Sequence, residues 1–110
     1  TLAMRKRLEV AKGMAMRPRL LLLDEVNAGL NASEIDNALG LIRTIAARGV
    51  TVLIIEHLMK VVLSLCSRIA VLHHGELIAQ GTPQAIVEDP RVVQAYLGKR
   101  YAKTQAAAHG

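Results

Sequence analysis

The sequence predicts an α/β fold with a mainly parallel sheet. Two short apolar runs, residues 20–23 and 52–55, have the length and the composition of buried strands. Between them, residues 31–49 repeat apolar side chains at spacings of three and four, the pattern of an amphipathic helix. A strand, a helix and a strand in this order predict a right-handed parallel crossover. With 110 residues, of which 52% are hydrophobic, the chain can build one domain with a buried core.

The composition narrows the class of partner. The formal charge is +5, but the basic residues are spread over separate segments, and two Tyr without Phe or Trp leave almost no platform for base stacking. We interpret the basic residues as solvated faces and expect no nucleic-acid partner. The single cysteine, Cys66, stands among apolar neighbours and is predicted to be a core thiol, not a nucleophile.

The apolar runs also bear on location. All are far shorter than the roughly 20 residues of a helix that spans a membrane. The first thirty residues do not show a basic start, an apolar stretch and a small-residue cleavage site in the order of a signal peptide. We therefore expect a cytoplasmic chain, either soluble or peripheral to a membrane.

The first predicted helix begins at Thr1 and is ended by Pro18. Its apolar face is predicted from four residues at helical spacing: Leu8, Ala11, Met14 and Ala15. Residues 19–23 form the first strand. Because this strand is apolar without interruption, we expect it to be covered on both faces, as strands of parallel sheets are.

A loop and a capped helix follow the first strand. Asn31, with Glu34 three residues later, resembles a capping box in which Asn accepts from the helix amides. The apolar stripe of this helix consists of Ile35, Ala38, Leu39, Ile42, Ile45 and Ala46. Gly49 is predicted to close the helix in a left-handed conformation, and residues 50–55 form the second strand.

The rest of the chain is predicted to form short helices and strands. A small amphipathic helix is marked by Met59, Val62, Leu63 and Cys66. Residues 69–72 and 76–80 are predicted to form a hairpin. The pair His73 and His74 flanks its turn; as strand neighbours the two are expected to point to opposite faces and not to share a metal ion.

The last helices are predicted from caps. Thr82 before Pro83 and Asp89 before Pro90 each pair a capping residue with proline at the first helical position, and the second helix should end near residue 98. The predicted domain is therefore residues 1–98. Residues 99–110 are expected to be a flexible, frayed tail.

Polar side chains end both strands of the crossover. Asp24 and Glu25 follow the first strand directly, and Glu56 and His57 follow the second. Parallel strands bring their carboxyl ends to one edge of a sheet, where ligands bind in open α/β folds. Carboxylates are rarely placed at such an edge for packing alone. Spacing therefore predicts a site at this edge.

Three motifs in a fixed order carry a resemblance. Residues 20–25 resemble a Walker B strand, residues 28–31 a D-loop and His57 a switch histidine, so the chain resembles the ATPase subunit of an ABC transporter. The resemblance implies a P-loop NTPase (RecA-like) three-layer sandwich, of which this chain is the C-terminal part. Residues 5–11 and 75–98 are most similar to ATP-binding subunits of branched-chain amino acid uptake systems.

The resemblance implies roles for the edge residues in binding ATP and Mg²⁺. Asp24 would hold Mg²⁺ through water, and Glu25 would polarise the water that attacks the γ-phosphate. His57 would contact the γ-phosphate and sense its loss. The alternatives without a functional role are that the two carboxylates lie in a solvated turn and that His57 only hydrogen-bonds to the backbone.

The resemblance also implies nucleotide contacts across a dimer. Ala28, Gly29 and Asn31 would lie where one nucleotide-binding domain approaches the ATP of a second. Aligned with the family, Thr1 and Ala3 fall on the signature motif Leu-Ser-Gly-Gly-Gln, which here is degenerate. The open alternative is that these residues are only the first turn of a helix.

Three departures from the family pattern stand near these residues. Asn31 replaces the common Asp and keeps the hydrogen bonding without the charge. Val26 replaces the proline that commonly follows the Glu, which removes a rigid turn. The signature is the third departure: Leu2 and Ala3 occupy glycine positions, where a side chain hinders a close approach of backbone amides to phosphate, and Met4 cannot replace the side-chain amide of the Gln.

As such a subunit, the protein would power import of a small solute. The resemblance to branched-chain amino acid uptake systems implies that this solute is a branched-chain amino acid. Its implied partners are a second nucleotide-binding domain, transmembrane permease subunits and, indirectly, a periplasmic solute-binding protein. It would lie in the cytoplasm, peripheral on the inner face of the cell membrane. The alternative from a different class is a non-catalytic α/β module that binds Mg²⁺ or a regulatory partner at the acidic edge.

The 110 residues contain no phosphate-binding loop of the form G-x-x-x-x-G-K-S/T. We therefore predict that the isolated chain neither binds ATP tightly nor hydrolyses it, because nothing in it cradles the β- and γ-phosphates. Titration calorimetry of the 110-residue chain with Mg-ATP tests this expectation. A micromolar Kd would contradict it.

Overall fold

The computed structural model describes residues 1–97, which form two compact units. The first unit is Thr1–His57, and the second begins at Leu58. The predicted frayed tail from residue 99 lies outside the described residues. Every helix in the described part of the chain is too short or too polar to cross a membrane.

The first unit is a strand–helix–strand crossover preceded by a helix. Its elements are α1 (Leu2–Ala15), β1 (Leu20–Asp24), α2 (Ala32–Ala47) and β2 (Thr51–Ile55). The two strands pair in parallel, from Leu20 opposite Thr51 to Asp24 opposite Ile55. The predicted parallel pair is therefore confirmed; β1 is shifted by one residue from its predicted bounds, and β2 begins one residue later than predicted.

Both ends of α2 follow the sequence signals. Asn31 Oδ1 accepts from the Glu34 backbone N–H at 2.8 Å, and Asn31 Nδ2 donates to Glu34 Oε1 at 2.8 Å. In a usual capping box the Glu would reach the backbone of the cap residue, whereas here it binds the cap side chain. Gly49 has φ +94°, as expected of a left-handed cap. The buried residues of α2 are all members of the predicted stripe: Leu39, Ile42 and Ile45.

The expectation that β1 is covered on both faces is wrong for the described residues. Leu21 and Leu23 are buried, but Leu20 and Leu22 are 53% and 62% exposed. Alternate side chains of a strand point to opposite faces, and α1 packs on the Leu21 side: a Cβ on Gly13 would lie 3.0 Å from Leu21 Cδ1. One leucine face of this apolar run is therefore not covered by residues 1–97.

The predicted apolar face of α1 is also wrong. Val10 is the buried residue of this helix, whereas Leu8, Ala11 and Ala15 are exposed and Met14 is half-buried. Gly13 lies against Leu21, and this side of α1 therefore faces β1, because a side chain at Gly13 would crowd the leucine. Helical spacing alone does not identify the face of α1 that packs on the strand.

The second unit begins with a helix and a hairpin. Its elements are α3 (Met59–Leu65), β3 (Ile69–His73), β4 (Glu76–Gly81), α4 (Pro83–Glu88), α5 (Pro90–Val92) and a π-helical turn (Val93–Leu97). The strands β3 and β4 pair antiparallel, as predicted. The hairpin turn at His74 and Gly75 has positive φ at both residues, +50° and +78°.

The two proline-led helices are capped as predicted. Thr82 Oγ1 accepts from the Ala85 N–H at 3.2 Å, and Asp89 Oδ1 accepts from the Arg91 N–H at 2.9 Å. Hydrogen bonds from the Arg91 side chain and backbone hold the pKa of the Asp89 carboxyl below its usual value. Each cap therefore satisfies an amide that the first helical turn leaves free.

The core of the second unit joins its hairpin to its helices. The buried residues are Ile69, Val71, Ile86 and Val92. The predicted stripe of α3 packs against this cluster through Met59, Val62, Leu63 and Cys66. Burial raises the pKa of the Cys66 thiol, which lowers its thiolate fraction at neutral pH and agrees with its interpretation as a core thiol.

His73 and His74 do not point to opposite faces, contrary to the expectation for strand neighbours. Their ring centroids lie 4.0 Å apart, and the His73 ring is 5.8 Å from that of Tyr96. The reason is that His74 leaves the strand with φ +50°, which swings its side chain towards its neighbour. Within residues 1–97, no three histidine, cysteine or acidic side chains gather as a metal site.

Replacing Ile86 tests the core of the second unit. This side chain is 1% exposed, so Ile86→Ala should lower the free energy of unfolding by about 2–5 kcal/mol through lost burial and a residual cavity. Urea denaturation followed by circular dichroism measures the loss. The control Leu77→Ala removes an exposed side chain of β4 and should change stability by less than about 0.5 kcal/mol. Equal losses in the two variants would contradict the assigned core.

Candidate functional site

The carboxyl end of the parallel pair holds the predicted acidic residues. Asp24 is the last paired residue of β1, and the Glu25 N–H still donates to the Ile55 carbonyl of β2 at 2.8 Å. The backbone at the two carboxylates is thus fixed to the neighbouring strand. Both side chains are exposed at the edge.

Glu25 adopts a conformation that is costly for a residue with a side chain. Its φ is +50°, in the left-handed region that favours glycine. Its carbonyl accepts from the Ala28 N–H at 3.1 Å and from Lys6 Nζ at 3.4 Å, so the loop and α1 both hold the turn. Strain of this kind persists where the surroundings enforce it and is common at functional sites. The turn allows Asp24 and Glu25 to diverge although they are adjacent.

Glu25 and His57 meet at this edge, as the spacing predicted. His57 Nδ1 lies 3.2 Å from Glu25 Oε1. Because a carboxylate can only accept, Nδ1 carries the proton of this contact, and Nε2 is left for another partner. The side chain of His57 is 63% exposed and that of Glu25 is 50% exposed, so a ligand in solvent can reach both.

Asp24 suits a magnesium ion by its chemistry. It is an exposed carboxylate, a hard oxygen ligand, and no salt bridge to it is found among residues 1–97. Mg²⁺ in proteins commonly takes one or two carboxylates together with water and substrate phosphates. The residues present therefore fit a magnesium ion that is bound partly through water.

A second acidic side chain at the edge behaves differently. The Glu56 side chain is only 2% exposed, and its Oε2 accepts from Asn27 Nδ2 at 3.2 Å. Asn27 is itself buried. The sequence predicts Glu56 at the edge but gives it no role. It does not reveal that Asn27 is buried, because nothing in the local pattern distinguishes a buried loop asparagine from a solvated one.

The predicted D-loop residues lie beside the first turn of α1. Ala28 and Gly29 are exposed, and Gly29 has φ +79°. A Cβ on Gly29 would lie 2.8 Å from Leu2 Cδ2, so this loop approaches the residues that align with the degenerate signature. Asn31 caps α2 with both polar atoms of its side chain.

Thr1 and Ala3 stand at the start of α1. The Thr1 hydroxyl accepts from the Met4 N–H at 3.2 Å and so caps the helix. This agrees with the alternative in which these residues are only the first turn of a helix. Ala3 is half-buried and lines a groove. Neither residue has a hydrogen bond to Glu25 or His57 among those of residues 1–97.

The groove has a volume of about 220 Å³ and runs between α1, the loop and α2. Its apolar wall includes Val10, Val26, Leu30, Leu41 and Ile42, and Lys6, Arg7 and Glu34 are among its polar residues. Asp24, Glu25, Glu56 and His57 do not line it. The groove and the strand edge are therefore separate features of the first unit.

Sequence similarity links the chain to the ATP-binding proteins of transporters. A family model, branched-chain amino acid ATP-binding cassette transporter, matches residues 76–102. The chain is 47% identical over 95 residues to the high-affinity branched-chain amino acid transport ATP-binding protein BraF of Pseudomonas aeruginosa, covering 86% of the chain and 37% of BraF. It is 43% identical over 97 residues to the lipopolysaccharide export system ATP-binding protein LptB of Acidithiobacillus ferridurans, covering 88% of the chain and 40% of LptB.

A solved structure agrees with the sequence matches. The crystal structure of a nucleotide-free ATP-binding cassette from an ABC transporter has a TM-score of 0.79 and 26% identity, covering 90% of the chain and 41% of the cassette. The chain matches the C-terminal portion of an ABC ATPase. This confirms the predicted P-loop NTPase fold class, here seen as a parallel and an antiparallel pair of strands. The chain spans only about two fifths of the length of the relatives that it matches.

All the residues predicted to act at nucleotide belong to the first unit of this ABC ATPase portion. The structure brings Glu25 and His57 into direct contact and places Asp24 at the same strand end. Gly29 lies beside Leu2, and the Ala28 N–H donates to the Glu25 carbonyl. The loop therefore connects the strand edge to the start of α1.

Gly29 and Gly40 form a matched pair for testing the loop geometry. Gly29→Ala should destabilise the chain by about 1–2 kcal/mol, because it forces a side chain into the left-handed region and against Leu2. Gly40→Ala, in open space within α2, should stabilise it by about 0.5–1 kcal/mol. Urea midpoints of the two variants measure both effects. The same sign of change in both would contradict the loop described.

Proposed function

We propose that the chain is the C-terminal part of the ATP-binding and ATP-hydrolysing subunit of an ABC transporter. The observation that carries the proposal is the contact between Glu25 and His57 at 3.2 Å, at the carboxyl end of a parallel strand pair and beside Asp24. A metal ligand, a carboxylate free of the metal and a polar sensor are what phosphoryl transfer to water requires. The names of BraF and LptB support the same class of activity.

In this proposal each edge residue has a separate task. Asp24 holds Mg²⁺ through water; the ion, when bound, neutralises charge on the phosphates. Glu25 accepts a hydrogen bond from the attacking water and orients it towards the γ-phosphate. His57 donates from Nδ1 to Glu25, and it donates from Nε2 to the γ-phosphate in the form that carries a proton on both ring nitrogens. The left-handed turn at Glu25 changes the direction of the chain directly after Asp24, which supports separate tasks for the two carboxylates.

The remaining predicted residues are assigned to a second nucleotide site. Ala28, Gly29 and Asn31 approach the ATP of a second nucleotide-binding domain, and Thr1 and Ala3 contribute what remains of the signature. The contact between Gly29 and Leu2 supports a joint surface of this kind. The Thr1 oxygen accepts from the Met4 N–H in the helix cap, and its O–H remains free to donate to phosphate.

We further propose that the subunit powers import of branched-chain amino acids. The family match over residues 76–102 and the name of BraF support that solute, while the name of LptB belongs to an export system. The partners are then transmembrane permease subunits and, indirectly, a periplasmic solute-binding protein. The subunit lies in the cytoplasm on the inner face of the membrane, with residues 1–98 as its domain and residues 99–110 as a tail.

A non-catalytic Mg²⁺-binding or regulatory module is the second candidate. It is favoured by the exposed Asp24 carboxylate, which can bind Mg²⁺ whether or not ATP is hydrolysed. Reading the coding sequence before Thr1 separates the two. A phosphate-binding loop there, beside genes for permeases and a periplasmic binding protein, supports the ATPase. A start codon next to Thr1 contradicts it.

Glu25→Gln tests the assigned catalytic carboxylate in the full-length subunit. The variant keeps the shape but orients water poorly, so kcat should fall at least about a hundredfold while ATP still binds and traps the dimer. Steady-state ATPase assays, equilibrium ATP binding and size-exclusion chromatography measure these properties. Glu9→Gln, an exposed position on α1 that pairs with Lys12, is the control and should keep wild-type turnover. Turnover of Glu25→Gln equal to that control would refute the assignment.

A further inference from the structure

Glu56 is the buried member of an otherwise exposed edge. Its side chain is 2% exposed, whereas those of Glu25 and His57 are half exposed or more. Burying a carboxylate is unfavourable unless hydrogen bonds replace the lost water. The contacts of Glu56 therefore identify what its burial accomplishes.

Two neutral donors surround the Glu56 carboxylate. Oε2 accepts from Asn27 Nδ2 at 3.2 Å, and Oε1 accepts from the His57 backbone N–H at 3.2 Å. The same Oε1 lies 3.8 Å from His57 Nδ1, beyond hydrogen-bond distance. Glu56 thus holds the backbone of His57 and leaves the ring free to contact Glu25.

Asn27 is buried where it donates to Glu56. It is 2% exposed, and its Oδ1 has no hydrogen-bond partner among the described residues. A buried amide oxygen without a partner costs about 1–3 kcal/mol. The hydrogen bond from Nδ2 to a carboxylate is of the stronger, charge-assisted kind and offsets that cost. The opposite orientation of the amide would set oxygen against oxygen, so Glu56 also selects how Asn27 points.

The pair joins the two strands beyond their last ladder bond. The backbone ladder ends where the Glu25 N–H donates to the Ile55 carbonyl. Asn27 lies two residues further along the first segment and Glu56 one residue further along the second, so their side-chain bond continues the connection across the edge. The segments that carry Glu25 and His57 are thereby tied on both sides of the contact between them.

We propose that Glu56 and Asn27 form a buried positioning pair that holds His57 towards Glu25. The inference rests on the proposed roles of Glu25 and His57 in ATP hydrolysis, but the pair itself touches none of the reacting atoms. It acts through the backbone of His57. Loss of the pair lets the imidazole drift from Glu25, and a displacement of about 1 Å at such a contact lowers turnover up to about a hundredfold.

Replacements of Glu56 separate hydrogen bonding from packing. Glu56→Gln keeps both bonds, because its oxygen accepts from the His57 N–H and its amide donates to Asn27 once the Asn27 amide turns over. Glu56→Met fills a similar volume without an acceptor. Asn27→Leu removes the donor from the other side and serves if Glu56→Met does not fold.

The first measurement is independent of ATP. Nitrogen-15 spectra of the imidazoles in the 110-residue chain report which ring nitrogen carries the proton, and His57→Gln assigns the signals. The wild type and Glu56→Gln should show the Nδ1–H form at His57, and Glu56→Met and Asn27→Leu should shift it towards the Nε2–H form. An identical His57 spectrum in all four proteins would overturn the proposal, as would unfolding of both apolar variants, which would make the pair a determinant of folding alone.

The second measurement is turnover of the full-length subunit. Glu56→Met and Asn27→Leu should lower kcat by about ten- to a hundredfold with KM for ATP nearly unchanged, and Glu56→Gln should retain most of the activity. Equal kcat in Glu56→Met and Glu56→Gln would overturn the role in turnover. If the spectra change as expected while the wild-type subunit hydrolyses no ATP, the positioning pair stands and the proposed function fails.

Discussion

The parallel pairing of β1 with β2 is the constraint on which the site depends. The register places Asp24 opposite Ile55, and the next amide, that of Glu25, donates to the Ile55 carbonyl at 2.8 Å. Because both strands run the same way, each delivers a polar pair at the same edge. A shift of one residue in either strand would turn those side chains to the opposite face and separate Glu25 from His57.

The geometry beyond the ladder is held by contacts of a different kind. Glu25 turns left-handed, and Lys6 and Ala28 both donate to its carbonyl. After the other strand, the Glu56 side chain is buried and accepts hydrogen bonds from Asn27 and from the His57 backbone N–H. A costly backbone conformation and a buried carboxylate therefore flank one exposed contact, which fits a surface that must be both rigid and open to a ligand.

The sequence predicts well what local chemistry determines. The parallel pair, the cap at Asn31, the hairpin at residues 74–75 and the meeting of Glu25 with His57 all follow from patterns within short segments. It predicts poorly what depends on how segments meet. The face of α1 that packs on β1 depends on the approach of Gly13 to Leu21, and the burial of Asn27 on a carboxylate 29 residues away. No periodicity encodes either contact.

The most direct test of the proposed site is a structure of the full-length subunit with a non-hydrolysable ATP analogue and Mg²⁺. The metal should lie within a water's reach of Asp24, and the terminal phosphate should lie beside His57, with Glu25 facing the position of the attacking water. The phosphate-binding loop should come from residues encoded before Thr1. Nucleotide bound away from this strand edge, with Asp24, Glu25 and His57 all in solvent, would contradict the assignment of the edge as half of an ATP hydrolysis site.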